Sequence, residues 1–287
     1  MDTEKKCYLC NGVNFKVLDG TVRDYPGLVN LKCMNCGLIS LSDFEHITDT
    51  YYEDSTMLNE AKLTIEKWAK QNYNQNFDRA NKLMSMLKDK IVLDIGCGDG
   101  GFLKNIKPFV RACAGIESSK YLRQHIIENH KIQVFPNIEE FHGSNIDIMT
   151  LFHVIEHFKD PITFLKKLDK HLVKDGLIYL ETPNANDALL TLYNCKAFKD
   201  WTFWGCHLFL FTENTLRTTI EKAGYKCVIK QIQRYPLSNH LHWLVKGLPN
   251  GHNIWDYFNS NSLNESYEAT LSNLGKCDTL VAYITKG

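Results

Sequence analysis

Val92-Leu93-Asp94-Ile95-Gly96-Cys97-Gly98-Asp99-Gly100-Gly101-Phe102-Leu103 is the stretch whose reading decides the fold. Apolar and β-branched residues lead into a glycine turn, and a helical pattern begins near Phe102, so the order is strand, tight loop, helix. Glycine is needed where backbone N–H groups must come close to a ligand and where a turn takes positive φ. In open α/β sheets a ligand sits beyond the carboxyl ends of the strands, beside this first turn. The chain is therefore expected to bind a nucleotide. Spacing leaves its identity open, because Gly96, Gly98 and Gly101 satisfy G-x-G-x-x-G while Gly96, Gly98 and Gly100 satisfy G-x-G-x-G. Asp94 separates the readings. A carboxylate two residues before the first glycine would repel a pyrophosphate and suits a ligand with a cationic ammonium and no phosphate.

The chain of 287 residues has room for one large domain and a small appendage. Lysine plus arginine equals aspartate plus glutamate at 33 each, so the formal net charge is zero and nothing advertises a polyanionic partner. No apolar run reaches the roughly 18 residues of a membrane span, and Met1-Asp2-Thr3-Glu4-Lys5-Lys6 lacks an apolar signal core. A cytoplasmic protein without membrane contact is expected. Of the ten cysteines, Cys7 with Cys10 and Cys33 with Cys36 form two CxxC pairs separated by 22 residues, and the rest are scattered like reduced thiols. Two such knuckles converge four thiolates on a tetrahedral site of the kind Zn²⁺ prefers, with no open position for catalysis. The expectation is a structural zinc ribbon over residues 1–45, a helical linker or lid over 46–90, and a catalytic domain over 91–287 with an insertion at about 235–276.

Between Ile47 and Lys90 the pattern is helical, with Phe77, Ala80, Met84 and Leu87 as a core stripe. Arg111 to Glu117 reads as a second strand, and an acid at its tip, 23 residues beyond Asp94, is placed to accept both hydroxyls of a ribose. A helix is expected from about Ser119 to His130, then strands at Ile132–Phe135 and Asp147–Phe152. Pro161 opens a helix carried through Leu172, Gly176 marks a turn, and Leu177–Leu180 is the next strand. Thr212 is expected to cap a helix ending at Gly224. Strands at Cys227–Gln233 and Leu280–Thr285 close the domain.

Residues 92–100 closely resemble the first motif of class I S-adenosylmethionine (SAM)-dependent methyltransferases, which carry an acid at the position of Asp94. The resemblance implies an α/β, Rossmann-like, seven-stranded domain with a small N-terminal zinc ribbon, the last strand entering antiparallel. It also implies SAM as cofactor, held by Asp94, Gly96, Cys97, Gly98, Gly100, Phe102, Glu117, Ser118, Asn137, Ile138, Phe152 and His153. The run His153-Val154-Ile155-Glu156-His157-Phe158-Lys159-Asp160-Pro161 resembles the segment of many such enzymes whose loop faces the methyl group. Glu181-Thr182-Pro183-Asn184, followed by His207 and Phe211-Thr212, resembles zinc-containing methyltransferases of sugar biosynthesis, which place a histidine over the acceptor. Glu156, Glu181, Asn184 and Trp204 are accordingly candidates for substrate contact, joined by Tyr51 and Tyr52 as aromatics just before the nucleotide domain and by His240 of the insertion.

Methyl transfer is an in-line displacement in which positioning supplies much of the acceleration. A sugar hydroxyl is a weak nucleophile, and a neutral imidazole can take its proton as the new bond forms. His207 is the expected base, with His153 and His157 in reserve. His153, Glu156 and His157 also offer an alternative set of metal ligands. Trp204 stands where the carbon-methylating deoxysugar enzymes carry tyrosine. The main expectation is O-methylation of a sugar or sugar nucleotide for surface polysaccharide, with no nucleic-acid partner and with homodimerisation allowed. The alternatives are carbon methylation of a nucleotide-linked keto-deoxysugar, a zinc-ribbon RNA methyltransferase, and a noncatalytic cofactor-binding scaffold. The aromatics of the insertion suit a substrate cap, a dimer contact or ordinary packing.

Overall fold

The structure is a computed structural model that describes residues 5–48, 50–53 and 64–287. Met1–Glu4, Asp49 and residues 54–63, the last of these part of the linker expected over 46–90, lie outside the described residues. Its centre is a seven-stranded sheet of β4 (Ile91–Ile95), β5 (Ala112–Ile116), β6 (Gln133–Phe135), β7 (Ile146–Phe152), β8 (Leu172–Pro183), β10 (Tyr225–Ile232) and β11 (Thr279–Lys286). The strand order is β10-β11-β8-β7-β4-β5-β6. β6, β5, β4, β7 and β8 run parallel, and β11 enters antiparallel between β8 and β10.

Alternation along β4 builds two cores. Val92 packs with Leu83, Leu87, Leu103 and Ile126 on one face, while Leu93 and Ile95 pack with Phe164, Leu165, Leu216 and Ile220 on the other. Burying each such side chain contributes roughly 1.5–3 kcal/mol. The helices that supply them are α1 (Ile65–Leu87), α2 (Gly101–Ile106), α3 (Lys120–His130), α4 (Pro161–Leu168) and α7 (Glu213–Lys222). Their starts follow local chemistry. Ser119 and Asp160 cap α3 and α4 with side-chain oxygens, and Thr212 forms a reciprocal capping box with Thr215.

Two expectations need correction. Within the expected linker, the described helix runs Ile65–Leu87 after a Thr64 cap, and Thr50–Glu53 before it form turns. Its inward stripe is Asn76, Ala80, Leu83 and Leu87, whereas Phe77 is exposed, because a buried polar residue one position earlier holds the helix in that rotation. Leu172 and Gly176 belong to β8, not to a helix and turn. The glycine sits in a strand whose pairing with β7 shifts register between Ile146 and Ile148, the kind of irregularity that strand glycines mark.

The N-terminal residues form β1 (Phe15–Val17), β2 (Asn30–Cys33) and β3 (Ile39–Leu41), an antiparallel sheet completed by β9 (Phe209–Leu210) from far along the chain. Phe209 packs its ring on Tyr8 and Phe44. The segment leading out of His207 is thus built into the cysteine-bearing module. After α5 (Ala188–Thr191) and α6 (Lys196–Thr202), the insertion folds into α8 (Leu237–Lys246), α9 (Gly251–Ile254) and α10 (Asn261–Asn273). Trp243 of α8 packs on Leu189 and Phe198. Among the described residues, no helix is long and apolar enough to cross a membrane.

Candidate active site

A cavity of about 730 Å³ opens at the carboxyl ends of β4, β5 and β7, within the size range of small-molecule sites. Asp94 is buried at one end, its Oδ1 accepting the Thr150 hydroxyl at 2.6 Å. Burial pushes its carboxyl up to about 7, against the opposing effects of Thr150 and Arg79. The loop that follows has no room for a side chain at Gly96 or Gly98. Gly96 has φ +68°, and a Cβ there would lie 2.5 Å from Val154 Cγ2. Gly98 has φ +57°, and a Cβ would meet the Trp68 ring at 2.8 Å. Glu117, at the tip of β5, accepts the Gly98 and Ser119 N–H groups, one on each oxygen at 2.9 Å. Its position is therefore fixed by backbone, with the second lone pair of each oxygen left over.

At the other end of the cavity stand His153, His157, His207, Tyr52 and Trp204. His153 follows β7 with φ +58°, a conformation non-glycine residues seldom adopt. Arg234 Nη1 donates to its Nε2 at 2.5 Å, so the ring proton must sit on Nδ1, which lies 3.5 Å from Glu156 Oε1. That carboxyl, and Glu181 at 4.0 Å, do not make it an imidazolium. Burial and the Arg234 and Arg79 guanidiniums hold it well below the usual histidine range. His157 Nδ1 meets the Tyr52 hydroxyl at 3.2 Å, and burial lowers its pKa to about 4. His207 lies between Trp204 and His157, with ring centroids at 5.6 and 5.1 Å. Burial keeps it neutral as well, and its Nδ1 is sealed from solvent without a partner. Burial thus holds the three imidazoles neutral, and His153 has both ring nitrogens engaged, by Arg234 and toward Glu156.

Of the expected cofactor residues, the cavity takes in Asp94, Gly96, Cys97, Gly98, Phe102, Glu117, Ser118, Asn137, Ile138, Phe152 and His153. Gly100 lies outside it and serves as the left-handed cap of α2. Of the expected acceptor residues, it takes in only Tyr52 and Trp204. Tyr51 is packed in the core beside His46 and Tyr52. Glu156 is fully buried behind the wall, held on Thr182, with its carboxyl raised to about 8. Glu181 is pinned to Arg79 by two bonds of 2.9 and 2.6 Å. Asn184 ties β8 to Cys277, and His240 bonds Gln233 and Tyr267 inside the insertion. The alternative metal-ligand set also changes membership, for it is His157, Cys206 and His207 whose donor atoms lie within 4.8 Å of one another, while Glu156 turns inward.

The sequence reading missed the face of α1 that roofs the cavity, Trp68, Asn72, Gln75, Asn76 and Arg79, and it missed Arg234. Arg79 lays its guanidinium 4.4 Å over the Phe152 ring. The one signal available was the polar stripe of α1 at spacings of three and four residues, which a core-facing apolar reading passes over.

Cys7, Cys10, Cys33 and Cys36 converge as expected, with all four sulfurs within 4.8 Å of one another. Cys7–Cys36 and Cys10–Cys33 Sγ distances are 3.6 and 3.5 Å. A tetrahedron with Zn–S bonds of about 2.3 Å has edges of about 3.8 Å, so the four thiols fit such an ion.

Residues 66–230, more than half of the chain, match the family described as a methyltransferase domain. The chain belongs to this methyltransferase family. The seven-stranded sheet of this methyltransferase, with its antiparallel β11, is that of the class I, SAM-dependent fold. A SAM-dependent methyltransferase from Archaeoglobus fulgidus shares the fold, with a TM-score of 0.52 at 16% identity over 80% of this chain and 99% of that one. A tRNA U34 carboxymethyltransferase of Campylobacter lari is 26% identical over 181 residues, 55% of this chain and 62% of that protein. Its namesake from Colwellia psychrerythraea is 32% identical over 163 residues, 53% of this chain and 49% of that protein. The methyltransferase thus spans about half to three-fifths of the length of these relatives. The exclusion of a nucleic-acid partner is overturned by them, since both are named for tRNA. Zero net charge averages over a whole surface and does not describe a local site.

Proposed function

We propose that this chain transfers a methyl group from SAM to a nitrogen or oxygen atom of an RNA nucleotide. The observation that carries the reading is continuity: one cavity runs from the Asp94–Glu117 seat to the His157–His207 wall. When bound, SAM supplies a methyl group made electrophilic by its sulfonium charge. Asp94 holds a negative charge toward the cationic amino-acid portion, Glu117 accepts the ribose hydroxyls, and the bare loop at Gly96–Gly98 lets the backbone approach. Trp204 and Tyr52 offer aromatic faces on which an unstacked base can lie, the usual way proteins read single-stranded RNA. His207 receives the acceptor proton, and Tyr52 orients the neighbouring His157. The four cysteines would hold a structural Zn²⁺, which ties the N-terminal module down. The tRNA relatives favour this acceptor over the sugar hydroxyl.

Incubation of the purified chain with methyl-labelled SAM and either total tRNA or a panel of nucleotide sugars tests the reading. Label that becomes nuclease-soluble with the tRNA is expected. Label on the sugars alone would return the acceptor to the carbohydrate class, and none on either would remove the transfer reaction.

A further inference from the structure

A buried charge is costly to desolvate unless other groups compensate it. Arg234, in the cavity wall at the histidine end, has Asp278 and Glu181 near enough to favour its charge but touches neither carboxylate with its guanidinium. Its Nη1 meets the neutral His153 ring, its Nε is sealed from solvent without a partner, and its guanidinium lies 4.9 Å from the Tyr235 ring centroid. Among the described residues it makes no ion pair with a carboxylate. Each nearby carboxyl is committed elsewhere. Glu181 takes Arg79 on Oε2 and the Tyr179 hydroxyl on Oε1. Glu156 bonds Thr182 and, with its pKa raised to about 8, is protonated at neutral pH. Asp278 receives the backbone N–H groups of Arg234 and Tyr235, the Gln233 amide and the Thr279 hydroxyl.

We propose that Arg234 is an anion anchor, and that the acceptor carries an oxyanion, a phosphate or a carboxylate, beside the atom that is methylated. The inference rests on the methyltransferase reading above and deepens it. Arg234 brings a planar fork suited to two oxygens of one anion. His153 takes one of its donors and so aims the fork, leaving the second amino group for the ligand while Nε stays buried in the wall. In an RNA acceptor the natural occupant is the phosphodiester flanking an unstacked nucleotide. The cofactor's own carboxylate is the competing occupant, and the test separates the two.

The full chain is saturated with S-adenosylhomocysteine, so that the cofactor's carboxylate is already seated, and is then titrated with inorganic phosphate and, separately, acetate, following tryptophan fluorescence. Saturable binding of at least one anion is expected, weakened at least tenfold in Arg234→Gln and largely kept in Arg234→Lys. Unchanged S-adenosylhomocysteine affinity in Arg234→Gln shows that the variant is folded. The proposal is overturned if the saturated wild-type chain binds neither anion, if Arg234→Gln binds them as well as wild type, or if Arg234→Gln loses S-adenosylhomocysteine rather than the anion. Should Arg234→Gln not fold, the wild-type titration and Arg234→Lys decide. Failure of the chain to bind S-adenosylhomocysteine at all would instead strike the underlying methyltransferase reading.

Discussion

Asp94 shows how much one residue can settle. Its carboxyl is raised to about 7 by burial, so in the ligand-free protein it is half protonated near neutrality. A cationic ligand favours the ionised form, so SAM affinity is expected to rise as pH goes from 6 to 8, with proton release on binding over that range that fades as the affinity levels off above it. Calorimetry in buffers of different ionisation enthalpy measures both, and Asp94→Asn should flatten the pH dependence while weakening binding at pH 8 about tenfold or more. His207→Ala is expected to lower the rate of transfer roughly 10²-fold or more, as loss of a general base does, with SAM affinity unchanged. Stopped transfer with lost SAM binding would instead make His207 structural. These two residues were legible because their neighbours form motifs. Arg79 and Arg234 were not, because a lone arginine has no pattern until a helix and a strand end bring it to the cavity. Glu181 and Asn184 lay in a recognisable phrase, yet sequence does not say which way β8 turns them.

Elements were read best where capping chemistry and periodicity agreed. Thr212 begins α7 through reciprocal bonds with Thr215 at 3.2 and 2.9 Å, and Thr212→Ala should cost about 1 kcal/mol. Thermal unfolding would register this as a fall of about 2–4 °C, given the size of the chain. No change in Tm would mean the helix is held by its buried Leu216 and Ile220 alone. The parallel strands were found from continuous apolar runs, since both faces are buried. β8 was cut short because Gly176 is a turn signal in sequence, whereas in the sheet it accompanies a register shift. α1 was rotated for a related reason: Phe77 is the larger hydrophobe, but Asn76 is the residue the fold buries, donating to Asp99 of the glycine loop at 3.3 Å.

At the scale of the molecule, the cysteine module and the cavity are joined by β9, which pairs with β3 two residues after His207. His46 Nε2 also lies 2.7 Å from the Gly205 carbonyl oxygen. Zinc loss is therefore expected to reach the acceptor end before the cofactor end. Metal analysis should find one zinc per wild-type chain and none in Cys33→Ser, in which transfer should fall at least tenfold while SAM affinity changes less than threefold. Equal loss of both would mean the module supports the whole domain. This coupling was illegible from sequence, since β9 is two residues long and its partner strand lies some 170 positions earlier.

The account turns on a cofactor seat between Asp94 and Glu117. Equilibrium dialysis of the full chain against methyl-tritiated SAM measures it directly. One equivalent bound per chain is predicted, displaced by S-adenosylhomocysteine and lost at least tenfold in Glu117→Gln. No saturable uptake, or uptake indifferent to Glu117, would contradict it.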